Sequence, residues 1–201
     1  MRKLSVPWIL LAVISAGCLS VDKEYPVKRF FVIEAGRGEH ADPPMEAPVL
    51  RLRKMSTAPE LDGKSLIYRT GDLSFETDFY NAFFISPGSM LGGEVRKWLE
   101  ASGRFALVTD SAGGMETDYV LMSHLAALYG DHSEEDSSKA VMEIQFLLLE
   151  ERDEEPAIVL QKNYREAIPL TDRDPATLAR GFSDALRKIL DALEQELAGK
   201  I

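Results

Sequence analysis

Apolar and polar positions along this chain switch between a period of two and a helical period. Lys28–Glu34 (KRFFVIE) is aromatic and β-branched and predicts a first strand. Ala35–Pro48 carries three prolines and two glycines and reads as a loop. Val49–Met55 (VLRLRKM) alternates, with Leu50 and Leu52 on one face and Arg51 and Arg53 on the other. After a turn at Pro59–Gly63, Lys64–Thr70 and Leu73–Thr77 flank Gly71-Asp72 as a hairpin. Within it Leu66 and Tyr68 share one face, and Ser65, Ile67 and Arg69 the other. Phe75, Phe79, Tyr80, Phe83 and Phe84 form a dense aromatic group, readable as packing around a helix start or as an exposed contact surface.

The period then becomes helical. Ser86 is a suitable N-cap with Pro87 at the first helical position, and Met90, Leu91, Val95, Trp98 and Leu99 recur at three and four spacing. Gly103 closes this helix as a left-handed cap, and Phe105–Val108 leaves it as a strand. Asp118–Tyr129 and Lys139–Glu151 read as a second hairpin around a wet, acidic tip at Gly130–Ser138; Arg152–Glu155 turns the chain into Ala157–Ile168, the last strand. Asp172 or Asp174 then caps a long helix that begins at Pro175. Its stripe is Leu178, Phe182, Leu186, Ile189, Leu190, Leu193 and Leu197. At about 1.5–3 kcal/mol per buried large side chain, this helix must dock rather than stand free. The expected fold class is α+β: a mixed, mainly antiparallel sheet with the Pro87–Ser102 and Pro175–Gly199 helices packed on one face, the other face or an edge remaining for a partner.

The N-terminus follows a different logic. Arg2 and Lys3 precede an apolar run, Val6–Ile14, which is far shorter than the ~20 residues of a spanning helix. Ser15-Ala16-Gly17 are small and stand directly before Cys18, the only cysteine. This arrangement resembles the bacterial lipobox, with Ser15 where that motif usually has an aliphatic residue. The resemblance implies a leader at 1–17, a diacylated and N-acylated Cys18, a polar tether at 18–27 and one periplasmic domain at 28–201. Leu19, rather than aspartate, follows the cysteine, which implies the outer membrane.

Charge removes some partners. The 201 residues carry a formal net charge of -10, and losing the leader with its two cations leaves the remainder at -12. No basic face is visible for nucleic acid, and passive adhesion to anionic lipid is disfavoured. Attachment to a membrane must then be covalent or hydrophobic.

Gly88-Ser89 and Ser111–Gly114 both lack the G-x-S-x-G spacing of a nucleophile elbow, and no phosphate- or dinucleotide-binding glycine motif occurs. His40, His124 and His132 lack a motif context, and the acidic tip does not fit a calcium loop. No metal, cofactor or catalytic residue is expected.

Four segments carry a wider resemblance: the lipobox cysteine with Phe30-Phe31-Val32-Ile33, then LDGKSLIYRTGDLSF, then EVRKWLEASGRFALV, and finally TDYVLMSHLAALYGD with two more strands and the last helix. Together they resemble the ABC-type transport auxiliary lipoproteins, also called PqiC-like lipoproteins. Phe83-Phe84 stand where that family often has tryptophan. The resemblance implies an outer-membrane-anchored, non-catalytic docking subunit. It would work beside an MCE-domain protein and an ABC permease and ATPase that move lipids or other hydrophobic compounds between membranes, and homo-oligomerisation is compatible with it. Tyr68, Arg69, Tyr80, Phe83 and Phe84 are the candidate partner or lipid contacts. The alternatives are an outer-membrane assembly lipoprotein similar to the plug of the lipopolysaccharide translocon and, further off, a secreted hydrolase.

Overall fold

The computed structural model describes residues 27–110, 116–135, 137–151 and 155–201. The expectations placed on the leader, on Cys18, on the tether up to residue 26, on the loop at Gly113-Gly114 and on most of the turn after Glu151 lie outside the described residues.

In chain order the strands are β1 (Arg29–Phe31), β2 (Val49–Leu52), β3 (Ser56–Thr57), β4 (Ser65–Arg69), β5 (Phe75–Phe83), β6 (Leu107–Thr109), β7 (Tyr119–Glu134), β8 (Ser137–Glu150) and β9 (Ala157–Pro169). Helix α1 (Pro87–Ala101) precedes β6, and α2 (Pro175–Ala198) follows β9. All nine strands belong to one curled, mixed sheet.

Strand β7 is its spine. Sixteen residues at roughly 3.3 Å each span about 50 Å, longer than any one of the strands before it can cover. Along one edge β8 pairs antiparallel, from Tyr119↔Glu150 to Glu134↔Ser137. Along the other, β2, β3 and β4 pair in succession, all parallel, at Leu50↔Tyr119, Ser56↔His124 and Tyr68↔Gly130. These three are pieces of one interrupted strand, with a 3-10 turn at Pro59–Leu61 in the longer gap. The sheet then forks: β2 carries β6, and β4 carries β5 and β1.

The α+β class and the two helices hold, but the sheet is not mainly antiparallel. Five of the eight strand pairings are parallel. Hairpins supply antiparallel neighbours only at β4–β5, β7–β8 and β8–β9. The short strands β2, β3, β4 and β6 instead travel in the direction of β7, while β1 runs with β5 against it.

Both helices feed one core. Leu91, Val95, Trp98 and Leu99 of α1 and Leu178, Phe182, Ile189 and Leu193 of α2 meet Leu121, Leu125 and Leu128 of β7 and Met142, Ile144, Phe146 and Leu148 of β8. Helix α2 lies on β8 and β9, and α1 lies against α2 and β6. Gly181 makes the α2–β8 approach possible, since a Cβ there would sit 2.7 Å from that of Ala140. Asp174 caps α2, its Oδ1 accepting from the Ala176 amide at 2.7 Å. Ser86 precedes α1 as expected, but its hydroxyl donates to Ser89 Oγ rather than capping. Gly103 takes the expected left-handed conformation at φ +68.

Three boundaries differ from the sequence reading. The second strand of the first hairpin, expected at Leu73–Thr77, runs instead from Phe75 through the aromatic segment to Phe83. The acidic tip is drawn into the hairpin, with β7 reaching Glu134 and β8 starting at Ser137. The first strand shrinks to Arg29–Phe31.

Candidate interaction surfaces

Two surfaces of the sheet are left uncovered by the helices. The first is the arm formed by β1 and β5. Their register sets Arg29 opposite Asn81 and Phe30 opposite Ala82, and the Phe84 amide donates to the Phe31 carbonyl at 2.9 Å. Alternation then sends Phe31 and Ile33 toward the core and Phe30 and Val32 outward. Phe30 meets Phe84 edge to face at 6.3 Å. Phe79 and Phe84 are 78% and 64% exposed, and Tyr80 and Ile85 are exposed beside them. So many large apolar side chains at one edge mark a contact surface.

Of the five residues singled out from sequence, Tyr80 and Phe84 lie on this edge. Phe83 does not: it is buried, packing 6.1 Å from Phe182 of α2. Tyr68 and Arg69 are half-buried and engaged. The Tyr68 hydroxyl donates to Asp78 Oδ2 at 3.1 Å, and its ring stacks on His132 at 5.0 Å. Burial, with the Asp78 charge added, pushes the Tyr68 phenol above its ordinary pKa. Burial alone would raise Asp78 too, but hydrogen bonds from the Asn81 side chain, from the amides of Asn81 and Tyr80 and from Tyr68 outweigh it and hold the carboxyl low. Arg69 pairs with Asp131 at 3.4 Å. These two residues lock β4 between β5 and β7. Phe79 belongs to the aromatic group read from sequence but not to the five contacts singled out; Phe30 and Val32 were missed, and the outward phase of the KRFFVIE alternation was the available signal.

The second surface is the outer face of β3, β7, β8 and β9, opposite the core. Pairings Ser56↔His124, His124↔Gln145 and Gln145↔Asn163 align one polar row across four strands. Ser56 Oγ lies 2.9 Å from His124 Nδ1, so His124 has a partner that the sequence did not reveal. A second row, Met122, Leu147 and Gln161, runs beside it. Arg53 and Lys54 flank these rows around an open depression of about 700 Å³ that no carboxylate lines. Among the described residues neither cation forms an ion pair. Lys162 at the rim is held by Glu196 at 2.5 Å. Further along, Arg165 pairs with Glu143, which also accepts from Asn163 at 2.8 Å; these two donors hold the Glu143 carboxyl below its usual range.

Chemically, this face offers amide and hydroxyl donors, one imidazole, two free cations and a short apolar strip. That suits docking of an extended or acidic partner surface. The Ser56–His124 pair has no carboxylate on the imidazole among the hydrogen bonds of the described residues. No group of three or more His, Cys, Asp or Glu side chains gathers among those residues, and no described helix is long and apolar enough to cross a membrane.

No protein-family model and no curated protein sequence matches the chain. Solved structures do match it. The crystal structure of protein XCC0632 from Xanthomonas campestris, of family DUF330, covers 87% of this chain and 94% of its own, with a TM-score of 0.67 at 21% identity. The chain has the fold of a DUF330 protein. A second crystal structure, of an uncharacterised protein, reaches a TM-score of 0.64 at 11% identity over 79% of this chain and 97% of the other. Protein CT253 from Chlamydia trachomatis reaches 0.54 at 9% identity, over 76% and 99%. At these identities the likeness is one of fold, and it agrees with a forked, mixed sheet behind two helices.

Proposed function

We propose that this protein is a lipid-anchored accessory subunit of an intermembrane transport system. It is held in the outer membrane through Cys18 and docks an MCE-domain protein working with an ABC permease and ATPase on lipids or other hydrophobic cargo. The leader, the Cys18 context and the segment resemblance support the assignment. The observation that carries it is the depression on the uncovered outer face of β7–β9, flanked by Arg53 and Lys54 and lined by no carboxylate in a chain of net charge -10. Such a face recruits by complementary charge and positions a partner without chemistry of its own. The Ser56–His124 contact serves here as a surface hydrogen bond that fixes β3 on β7.

Affinity purification of the detergent-solubilised native protein, read by mass spectrometry, tests this. An MCE-domain protein and its permease should co-purify. Recovery of a β-barrel assembly protein in their place would support the outer-membrane assembly alternative instead.

A further inference from the structure

We propose that the aromatic edge of β1 and β5 seats the domain in the headgroup layer of the bilayer. The inference rests on the lipid-anchored reading above.

The chain enters β1 at Arg29, opposite Asn81 and two residues beyond Phe79 in the β5 register. Val27, the first described residue, is fully outside the core. Eight residues lie between Cys18 and Val27, and extended chain reaches at most about 3.5 Å per step, so an acylated Cys18 holds this edge within roughly 30 Å of the acyl chains. The surface at that entry is apolar: Phe30, Val32, Phe84 and Ile85 are exposed, with Phe30 against Phe84, and the exposed pair Phe79 and Tyr80 follows on β5. Aromatic rings favour the interface between hydrocarbon and water, where an apolar body and a polar rim are both satisfied.

Cations border the patch. Lys28 lies 6.0 Å over the Phe30 ring, and the Lys64 ammonium donates to the Phe84 carbonyl at 3.3 Å. Long cationic side chains at such a border reach lipid phosphates while their stems cover apolar surface. The net charge of -10 opposes spontaneous adsorption, so the edge acts only once the acyl anchor has brought it to the membrane. The outer face of β7–β9, strands with which β1 does not pair, is then free for the transport partner.

The test uses the full chain, processed and purified from membranes, in vesicles of phosphatidylcholine brominated on its acyl chains. Phe84→Trp places a tryptophan in the seat, and Met122→Trp places one on the outer sheet face. The native Trp98 is buried and supplies a constant background. Mass spectrometry first establishes the acyl chains on Cys18. The expected result is loss of most of the added emission for Phe84→Trp and none for Met122→Trp. An acylated protein whose Phe84→Trp emission is untouched, as it would be with a protein partner on the edge, overturns the seat but leaves the lipoprotein reading standing. Equal quenching at both positions also overturns it. A Cys18 without acyl chains overturns the anchor and the seat together.

Discussion

The indole Nε1 of Trp98 on α1 donates to Glu194 Oε2 on α2 at 2.9 Å. The same carboxylate accepts from Arg37 at 2.9 Å and lies 3.8 Å from Arg104. One side chain thereby ties both helices to the proline-rich loop after β1, and it is only 16% exposed.

Glu194→Leu should be strongly destabilising, because it leaves a shielded indole donor and the Arg37 Nε and Nη2 donors without their acceptor, and the Arg37 charge without its counter-ion. Removing one partner of such a pair costs about 3 kcal/mol. Urea unfolding reads this directly, and a midpoint unchanged from the parent would show the network to be dispensable.

Gly181→Ala sets two effects against each other. Helix propensity favours alanine by about 1 kcal/mol. The new methyl would stand 2.7 Å from the Ala140 Cβ and 2.6 Å from Leu170 Cδ2, and overpacking typically costs about 1–3 kcal/mol. Ala140 is held by its strand and cannot rotate away. A net loss of about 1 kcal/mol is expected, lowering Tm by roughly 2–4 °C. A raised Tm would mean that the helix slides at little cost.

Phe83 and Phe84 are neighbours with opposite burial, 2% against 64% exposed. Phe83→Ser should cost about 3–5 kcal/mol by opening a cavity against Phe182. Phe84→Ser and Tyr80→Ser should change stability by less than about 1 kcal/mol while impairing function in cells. Thermal melts beside a complementation assay separate these outcomes.

Stability should fall in two steps on acidification. Burial, then the Arg173 charge, holds His132 below its ordinary pKa of 6.5, so the unfolded chain binds that proton first and stability declines as pH drops below 6.5. Asp78 and Glu143 are also depressed, from 3.8 and 4.5; their contributions are complete above those values and are lost as pH falls through the lower folded ones. In urea titrations across pH, His132→Gln should remove the upper step and Asp78→Asn part of the lower.

Legibility from sequence followed the strength of the periodic signal. The α2 stripe, Pro175, Gly103 and the two hairpins were readable because each is a local pattern. The parallel neighbours of β7 were not: β3 has two residues, and nothing in Ser56-Thr57 announces a partner 68 positions away at His124. Tyr80 and Phe84 were found by aromatic density, but density could not separate them from buried Phe83. That distinction needed the β1–β5 register, which also brings Phe30 to Phe84. The free cation Arg53 was visible as an alternating position, yet its setting depends on Gln145 and Asn163 from strands far along the chain.

Arg53→Glu with Lys54→Glu should leave folding within about 0.5 kcal/mol of the parent, since both side chains are exposed. Affinity for the proposed MCE-domain partner should drop roughly tenfold, equivalent to about 1.4 kcal/mol, and its salt dependence should weaken.

The most direct measurement is photo-crosslinking from Met122, replaced by a photoreactive residue, in the native membrane. A cross-link to an MCE-domain protein, lost in the Arg53→Glu, Lys54→Glu background, is the expected result. A cross-link to a β-barrel assembly protein, or none from Met122 while the MCE-domain protein still co-purifies, would contradict docking through the outer sheet face.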